Sequence, residues 1–262
     1  LTPFQSEIAE LYRSGKIPSP LRQEMEHQLD YMYQLIAIEE RRKQSEVAFT
    51  PSSRPIIAIL PETKSLPKIK VPFTVETATI DGELNETFWK EANILKVEYL
   101  NNGFSKTQVD TLVKLAYNKD FLYIAYVNEE PQMKNVRAQV SKRDDGNIFI
   151  SDDSVEIFLA ANETRERYFH FTVNMNNSQY DQHLKSNQWN GQWQSQVMRY
   201  ELGWTVEIAI PFSDLEVSPQ RGMNLAGNFT RDRYQDESPY YTWAVPFGSY
   251  HTPERFGTLT LD

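Results

Sequence analysis

Residues 143–161 read RDDGNIFISDDSVEIFLAA. In the second half Val155, Ile157 and Leu159 point one way along an extended chain, and Ser154, Glu156 and Phe158 the other. This period of two marks a strand with one fully apolar face. The first half is a Gly-containing loop carrying Asp144, Asp145, Asp152 and Asp153. Loop aspartates are ordinarily solvated. A core strand entered through four of them has two readings: a hydrated loop ahead of a sandwich strand, or a polar ligand or cation site built by the loop and the strand's outer face.

Working outward, the same alternation recurs on both sides. Val109, Thr111, Val113 and Leu115 alternate, and Asn118-Lys119-Asp120 turns the chain into Phe121–Val127, a hairpin signal. Phe169, Phe171, Val173 and Met175 form an inward face and leave Tyr168, His170, Thr172 and Asn174 outside. Trp204, Val206, Ile208 and Ile210 make a further strand that Pro211 stops, and residues 223–231, 240–245 and 257–261 complete the series. One short helix is expected over 86–92. Many short strands of period two imply a mainly β fold, an antiparallel β-sandwich of jelly-roll type, over residues 73–262.

The N-terminal part has a different texture. Phe4, Ile8, Leu11 and Tyr12 share a helical stripe that Gly15 stops. Ser19-Pro20 opens a second helix, on which Leu21, Met25, Leu29, Met32 and Ile36 recur to about Lys43. Residues 1–47 therefore read as a helical hairpin, docked on the same chain or on a partner. Residues 48–72 hold Pro51, Pro55, Pro61, Pro67 and Pro72 without periodicity and read as a linker.

The chain has 262 residues, a net charge of −9 and no cysteine, which removes disulfides and thiol chemistry. Residues 71–262 carry 17 Lys+Arg against 27 Asp+Glu, so the acidity belongs to the sandwich. Such a surface argues against nucleic acid, whose phosphates need a basic face. No apolar run reaches membrane-spanning length. Serine triads, Gly-rich phosphate loops and HExxH are absent, and His27, His170, His183 and His251 lack metal-ligand spacing.

The ordered landmarks resemble family 9 carbohydrate-binding modules and their DOMON-like relatives. They are Ile80-Asp81-Gly82-Glu83-Leu84-Asn85-Glu86 with Phe88-Trp89, Phe121–Ala125, Asp152–Leu159, Gly203–Phe212, Asn228–Arg231, Trp243 and Phe256–Leu259. The resemblance covers roughly residues 73–262. It implies an antiparallel sandwich that binds sugars without cleaving them, often attached to xylan-degrading enzymes, with structural calcium in some members. The rival it brings is a haem-binding electron-transfer domain, with Met175, Met198 or Met223 paired to His170 or His183. Methionines on strand faces are ordinarily packing, so no haem is expected. A role as an accessory or interaction domain of a glycoside hydrolase is a further alternative.

Sugar recognition takes flat rings against pyranose faces, with carboxylates, amides and guanidiniums on the hydroxyls. Tyr180–Trp193, YDQHLKSNQWNGQW, supplies that mixture without alternation and reads as a loop. The expected ligand contacts are Trp189 and Trp193 for stacking, with Tyr180, Asn190, Arg143, Asp144 and Arg231 on hydroxyls. The outer face carrying Tyr168, His170 and Asn174 is the fallback. Asp–Arg pairs here equally suit salt bridges closing the sandwich edge. Asp152, Asp153 and Glu156, with Asp144, are the expected calcium ligands, joined by Glu207 if its strand is a neighbour of the Glu156 strand. The expected partner is a neutral oligosaccharide or polysaccharide. An extracytoplasmic location, whether periplasmic, cell-surface or secreted, is expected from the acidity, the lack of cysteine and the resemblance.

Overall fold

The computed structural model describes residues 65–161, 165, 167–184 and 186–262. The helical hairpin expected over 1–47 and most of the proline-containing segment lie outside them. Leu66–Asp262 forms one compact unit. In chain order its strands are β1 (Lys68–Val71), β2 (Asn93–Lys96), β3 (Tyr99–Leu100), β4 (Thr111–Tyr117), β5 (Phe121–Glu129), β6 (Ser154–Ala160), β7 (Phe169–Asn174), β8 (Gln179–His183), β9 (Gln194–Tyr200), β10 (Gly203–Pro211), β11 (Asn224–Asp232), β12 (Tyr240–Thr242) and β13 (Gly257–Leu261). Two single-turn helices, α1 (Phe88–Glu91) and α2 (Ile148–Ser151), interrupt them.

These strands make two sheets. The larger has eight strands in the order β1-β13-β11-β6-β7-β8, with β12 on β11 and β3 on β12; the smaller has five, β2-β4-β5-β10-β9. All ladders are antiparallel except that of β1 with β13, which is parallel and sits at the sheet's edge. The opening stretch sits centrally: β6 lies between β11 and β7, so Ile157 stands opposite both Phe229 and Phe171. The two inner faces meet over Val155, Ile157, Leu159, Phe169, Phe171 and Val173 from one sheet and Val113, Leu115, Ile124, Trp204, Val206 and Ile208 from the other, all buried. This is the expected alternation, and burying roughly 1.5–3 kcal/mol worth of apolar side chain at each such position is what drives the two sheets together.

The outer faces are not bare. On the five-stranded sheet, α1 lays Phe88 and Trp89 over Ala116, Tyr123, Ala125 and Ala209. The small alanines leave room for the aromatic pair. On the eight-stranded sheet, Phe158 and Ala160 of β6 lie under Tyr168, Tyr250 and Phe256.

Candidate functional site

The residues expected to hold sugar do not form one site. Arg143, Asp144, Asn190 and Trp193 do meet, at the open edge between β8 and β9. Asp144 adopts a left-handed conformation (φ 61°) and donates its N–H to the Gln179 carbonyl at 2.9 Å, which turns the loop onto β8. Arg143 then donates to Asp181, to the Gln179 side chain, to the Gly191 carbonyl (3.2 Å) and to Asn190 Oδ1 (3.3 Å), and its guanidinium lies 5.8 Å over the Trp193 ring. Trp193 is 4% exposed, packs edge-on against Phe171 at 5.3 Å, and donates Nε1–H to Asp181 at 2.6 Å. Burial pushes the Asp181 carboxyl up, while Trp193 and Arg143 pull it back. The arrangement is a clasp that closes the sandwich edge. Trp193 is a core ring and offers no stacking surface, and the donors of Arg143 are engaged within the protein.

Tyr180 and Arg231 lie elsewhere. The segment expected as one loop is a strand through His183, so alternation along β8 sends Asp181 inward and Tyr180 to the opposite face. There Tyr180 packs with Val140, Ile148 and Phe149. Arg231 is fully buried between the sheets, donating to Thr111 Oγ1 (2.9 Å), the Glu129 carbonyl (2.9 Å) and Glu130 (3.0 Å). It cannot reach a ligand. Trp189 is half-buried, with its ring 5.1 Å from Phe169 and 6.1 Å from His183; Asn190 beside it is exposed.

The residues expected to bind calcium do not fit the ion. Asp152 accepts the backbone N–H groups of Gln139 (2.8 Å) and Val140 (2.9 Å), the Asn174 amide (2.6 Å) and the Ser151 hydroxyl (2.7 Å). Asp153 accepts those of Arg137 and Tyr234, both at 2.6 Å. Hard cations need such oxygens free. Glu207 is on the other sheet, its outer face directed away from Glu156. Among the described residues no three His, Asp or Glu side chains gather as a metal centre. For haem, Met175 packs in the inter-sheet core while His170 faces outward; His183, at the far end of the β7–β8 ladder, is about 20 Å along the strand from Met175.

The outer face of β8-β7-β6-β11 is the polar feature that the sandwich core does not require. Its floor is a hydrogen-bonded row crossing four strands. Gln182 Nε2 donates to His170 Nδ1 at 2.8 Å, which leaves the ring proton on Nε2, 2.5 Å from Glu156 Oε2 and 3.0 Å from Thr172 Oγ1. Glu156 is in turn hydrogen-bonded to Asp232, and Asp232 to the Tyr250 hydroxyl at 3.3 Å. Burial pushes Glu156 up to about 8 and His170 down to about 3; burial and the neighbouring Glu156 hold Asp232 well above the usual carboxylate range. The Ser154 and Thr230 hydroxyls on the same face are fully buried and have no hydrogen-bond partner. His170 stacks at 4.1 Å on Phe158, its ladder partner on β6.

Aromatic rings collar this floor. Phe149 of α2 stands edge-on to Tyr180 at 4.7 Å, and its carbonyl accepts the Tyr234 hydroxyl. Tyr234 meets Tyr240 at 6.4 Å and Tyr240 meets Tyr250 at 6.2 Å. Tyr168 and His251 join through a 2.7 Å hydroxyl–imidazole hydrogen bond, His251 standing edge-on to His170 at 5.2 Å. Beside α2 a polar cleft of about 430 Å³ is lined by Lys142, Asp145, Asn147 and Ser151, with the half-exposed Ile150 at its lip. Of these groups the fallback sequence reading names Tyr168 and His170. Asp232, Tyr250, Gln182 and Thr230 go unnoticed, because only the pairing of β6 with β11 and β7 brings them together.

Fold and site together define a β-sandwich binding module with a polar, ring-collared outer face. The model of the carbohydrate family 9 binding domain-like family matches residues 80–262, and the chain belongs to that family. Among solved structures, a family 9 carbohydrate binding module from Caldicellulosiruptor kristjanssonii in complex with cellotriose superposes with a TM-score of 0.56 at 20% identity, covering 74% of this chain and 93% of that one. The same organism's module in complex with glucose gives 0.56 at 21%, covering 74% and 95%. A protein from Bacteroides uniformis described as carbohydrate-binding gives 0.61 at 20%, covering 76% of this chain and all of that one. At these identities the likeness speaks for the fold. No curated protein matches the chain in sequence.

Proposed function

We propose that the protein binds a neutral oligosaccharide, of the glucose-based kind held by its structural neighbours, over the outer face of the eight-stranded sheet, and does not cleave it. The observation that carries this is the rim of half-exposed rings, Tyr234, Tyr240 and His251, above a buried polar floor. Rings at such a rim suit the apolar faces of pyranoses, and the phenol and imidazole edges suit their hydroxyls. Glu156 and Asp232 are hydrogen-bonded to each other, whereas glycosidase carboxylates stand roughly 5–9.5 Å apart with the sugar or water between them. Shallow stacking with a few hydrogen bonds implies roughly micromolar to millimolar affinity. A glycan array followed by titration of the best hit tests the reading. Absence of any bound glycan overturns it.

The edge site is the second reading, favoured by the half-buried Trp189 beside the exposed Asn190, with Arg143 and Asp144 beneath. Trp189→Ala and Tyr240→Ala separate the two: the first weakens binding only if sugar lies at the edge, the second only if it lies on the outer face. Structural calcium, on either reading, would draw on carboxylates other than Asp152, Asp153 and Glu156. A setting outside the cytoplasm, in the service of glycan breakdown, fits the acidic surface and the absence of cysteine; fractionation of the native cell tests it, and recovery in the cytoplasm would refute it.

A further inference from the structure

Arg137 and Lys142 are exposed cations in a chain of net charge −9, and among the described residues neither meets a carboxylate. They belong to residues 131–143, PQMKNVRAQVSKR, which carry four cations and no acid. Of the four, Arg143 is taken by Asp144 and Asp181. The backbone holds this run against the head of β6. Asp153 accepts the N–H of Arg137, and Asp152 accepts those of Gln139 and Val140. Both aspartates are thereby committed to the main chain, while Arg137, Gln139 and Lys142 remain exposed. An exposed lysine by itself is ordinary. These two cations border a cavity and a ring.

The cavity is the cleft of about 430 Å³ beside α2, with Gln139, Lys142, Asp145, Asn147, Ile150 and Ser151 on its walls. Small-molecule clefts span roughly 300–1,000 Å³. Asp145 is the single acid among these lining residues, and one of its oxygens already accepts the backbone N–H (3.0 Å) and the side-chain amide (2.8 Å) of Asn147. The ring is Tyr234 of the rim. Its hydroxyl donates to the Phe149 carbonyl, and the next two residues of α2, Ile150 and Ser151, stand on the cleft wall. The Arg137 guanidinium lies 5.8 Å over the same ring. One helical turn therefore joins rim to cleft, with a cation at each end: Arg137 at the ring and Lys142 in the cleft.

We propose that the cleft takes an acidic sugar unit, a uronic acid, joined to the neutral chain held at the rim. Lys142 meets its carboxylate, Gln139 and Asn147 meet its hydroxyls, and Arg137 carries the positive field from Tyr234 towards the cleft. This rests on the outer face being the sugar site. Charge complementarity sets the class of the unit: amides and a hydroxyl suit any sugar, whereas an ammonium without an ion-pair partner suits an anion. Exposed ion pairs are individually weak, so the acidic unit adds a preference to the affinity that the rings supply.

Cellotriose and its analogue with glucuronic acid as a terminal unit, each titrated into the full chain at low and high salt, test this. Wild type is expected to favour the acidic trisaccharide by about fivefold to tenfold at about 20 mM salt, and to lose most of that preference at about 500 mM. Lys142→Gln is expected to bring the ratio of the two affinities close to one, and Arg137→Gln to lower it by about half. Lys119→Gln, in the turn joining β4 and β5, should leave the ratio as in wild type, which separates a local contact from a general loss of positive charge. Thermal melts confirm that each variant folds. A ratio of about one in wild type, a preference insensitive to salt, a preference that survives Lys142→Gln, or an equal loss in Lys119→Gln overturns the acidic-unit assignment and leaves the neutral-sugar reading standing. Binding of neither trisaccharide also overturns the assignment, and an array on which no glycan binds overturns the sugar reading as well.

Discussion

Glu207 accepts the backbone N–H of Gly82 at 3.0 Å across 125 residues of sequence. The same carboxylate accepts the N–H of Asp81 at 3.0 Å and Trp89 Nε1–H at 2.9 Å, so one outward side chain of β10 pins both the Ile80-Asp81-Gly82 turn and α1. Gly82 sits at φ 88°, and a Cβ there would lie 3.0 Å from the Met198 backbone nitrogen. Glu207 is thus an architectural residue, where sequence reasoning had offered it as a ligand group.

Glu207→Ala is accordingly expected to destabilise by about 3 kcal/mol, the cost of a lost charge-assisted bond set and a buried indole N–H left unpaired. Gly82→Ala should cost about 1–2 kcal/mol from its left-handed backbone alone, before the close approach to β9. Chemical denaturation measures both, and sugar affinity should be unchanged in whichever variant remains folded.

The clasp at Trp193 separates architecture from recognition. Trp193→Ala is expected to cost about 3–5 kcal/mol as a large buried ring is removed and Asp181 loses its donor. Arg143→Ala should destabilise less, by about 1–3 kcal/mol, because Arg143 is partly solvated. If either variant melted like wild type but bound sugar several-fold more weakly, the edge reading would prevail.

Stability should fall on both sides of a plateau in pH. Folded Glu156 keeps its proton to about 8 against an ordinary 4.5, and folded His170 stays neutral down to about 3 against an ordinary 6.5. Between 4.5 and 6.5 the folded and the unfolded pair each bind one proton, so this pair contributes no slope. Above 6.5 the unfolded imidazole is neutral while folded Glu156 still holds its proton, so stability drops as pH rises towards 8. Below 4.5 the unfolded pair takes a second proton that the folded pair refuses until about 3, so stability drops as pH falls. Each flank is worth about 2 kcal/mol. Thermal melts of wild type and His170→Gln should differ chiefly on the acid side.

Chelation should leave the melting temperature unchanged if Asp152 and Asp153 serve the backbone as their hydrogen bonds indicate. Asp153→Ala should instead cost about 2–3 kcal/mol through two stranded amides. A melting temperature that drops on chelation, with calcium found by elemental analysis, would return the ion to this fold.

Most of the sandwich was legible because its signal is local. Val155-Glu156-Ile157 or Trp204-Thr205-Val206 declares its inward face whatever it pairs with. The strands that escaped, β1, β2, β3, β8 and β9, are short, polar or lie at or near a sheet edge. In β9, Gln194–Tyr200, the exposed edge leaves polar residues on both faces and no alternation to read. The Tyr180–Trp193 segment was misread for a related reason: β8 shows one buried polar residue after another, and its polarity resembles that of a loop.

The sequence by itself determined the fold class, the inward set of each central strand and the family, since period-two patterning and ordered motifs are properties of neighbouring residues. Only the tertiary structure decided which polar side chains meet. Arg143 and Trp193 close an edge, Tyr180 and Asp181 part to opposite faces, and Glu156, His170 and Asp232 join on one floor. Strand pairing sets those neighbours, and a pairing such as β6 with β11 depends on how the two sheets bury their inner faces together, which no local stretch of residues encodes.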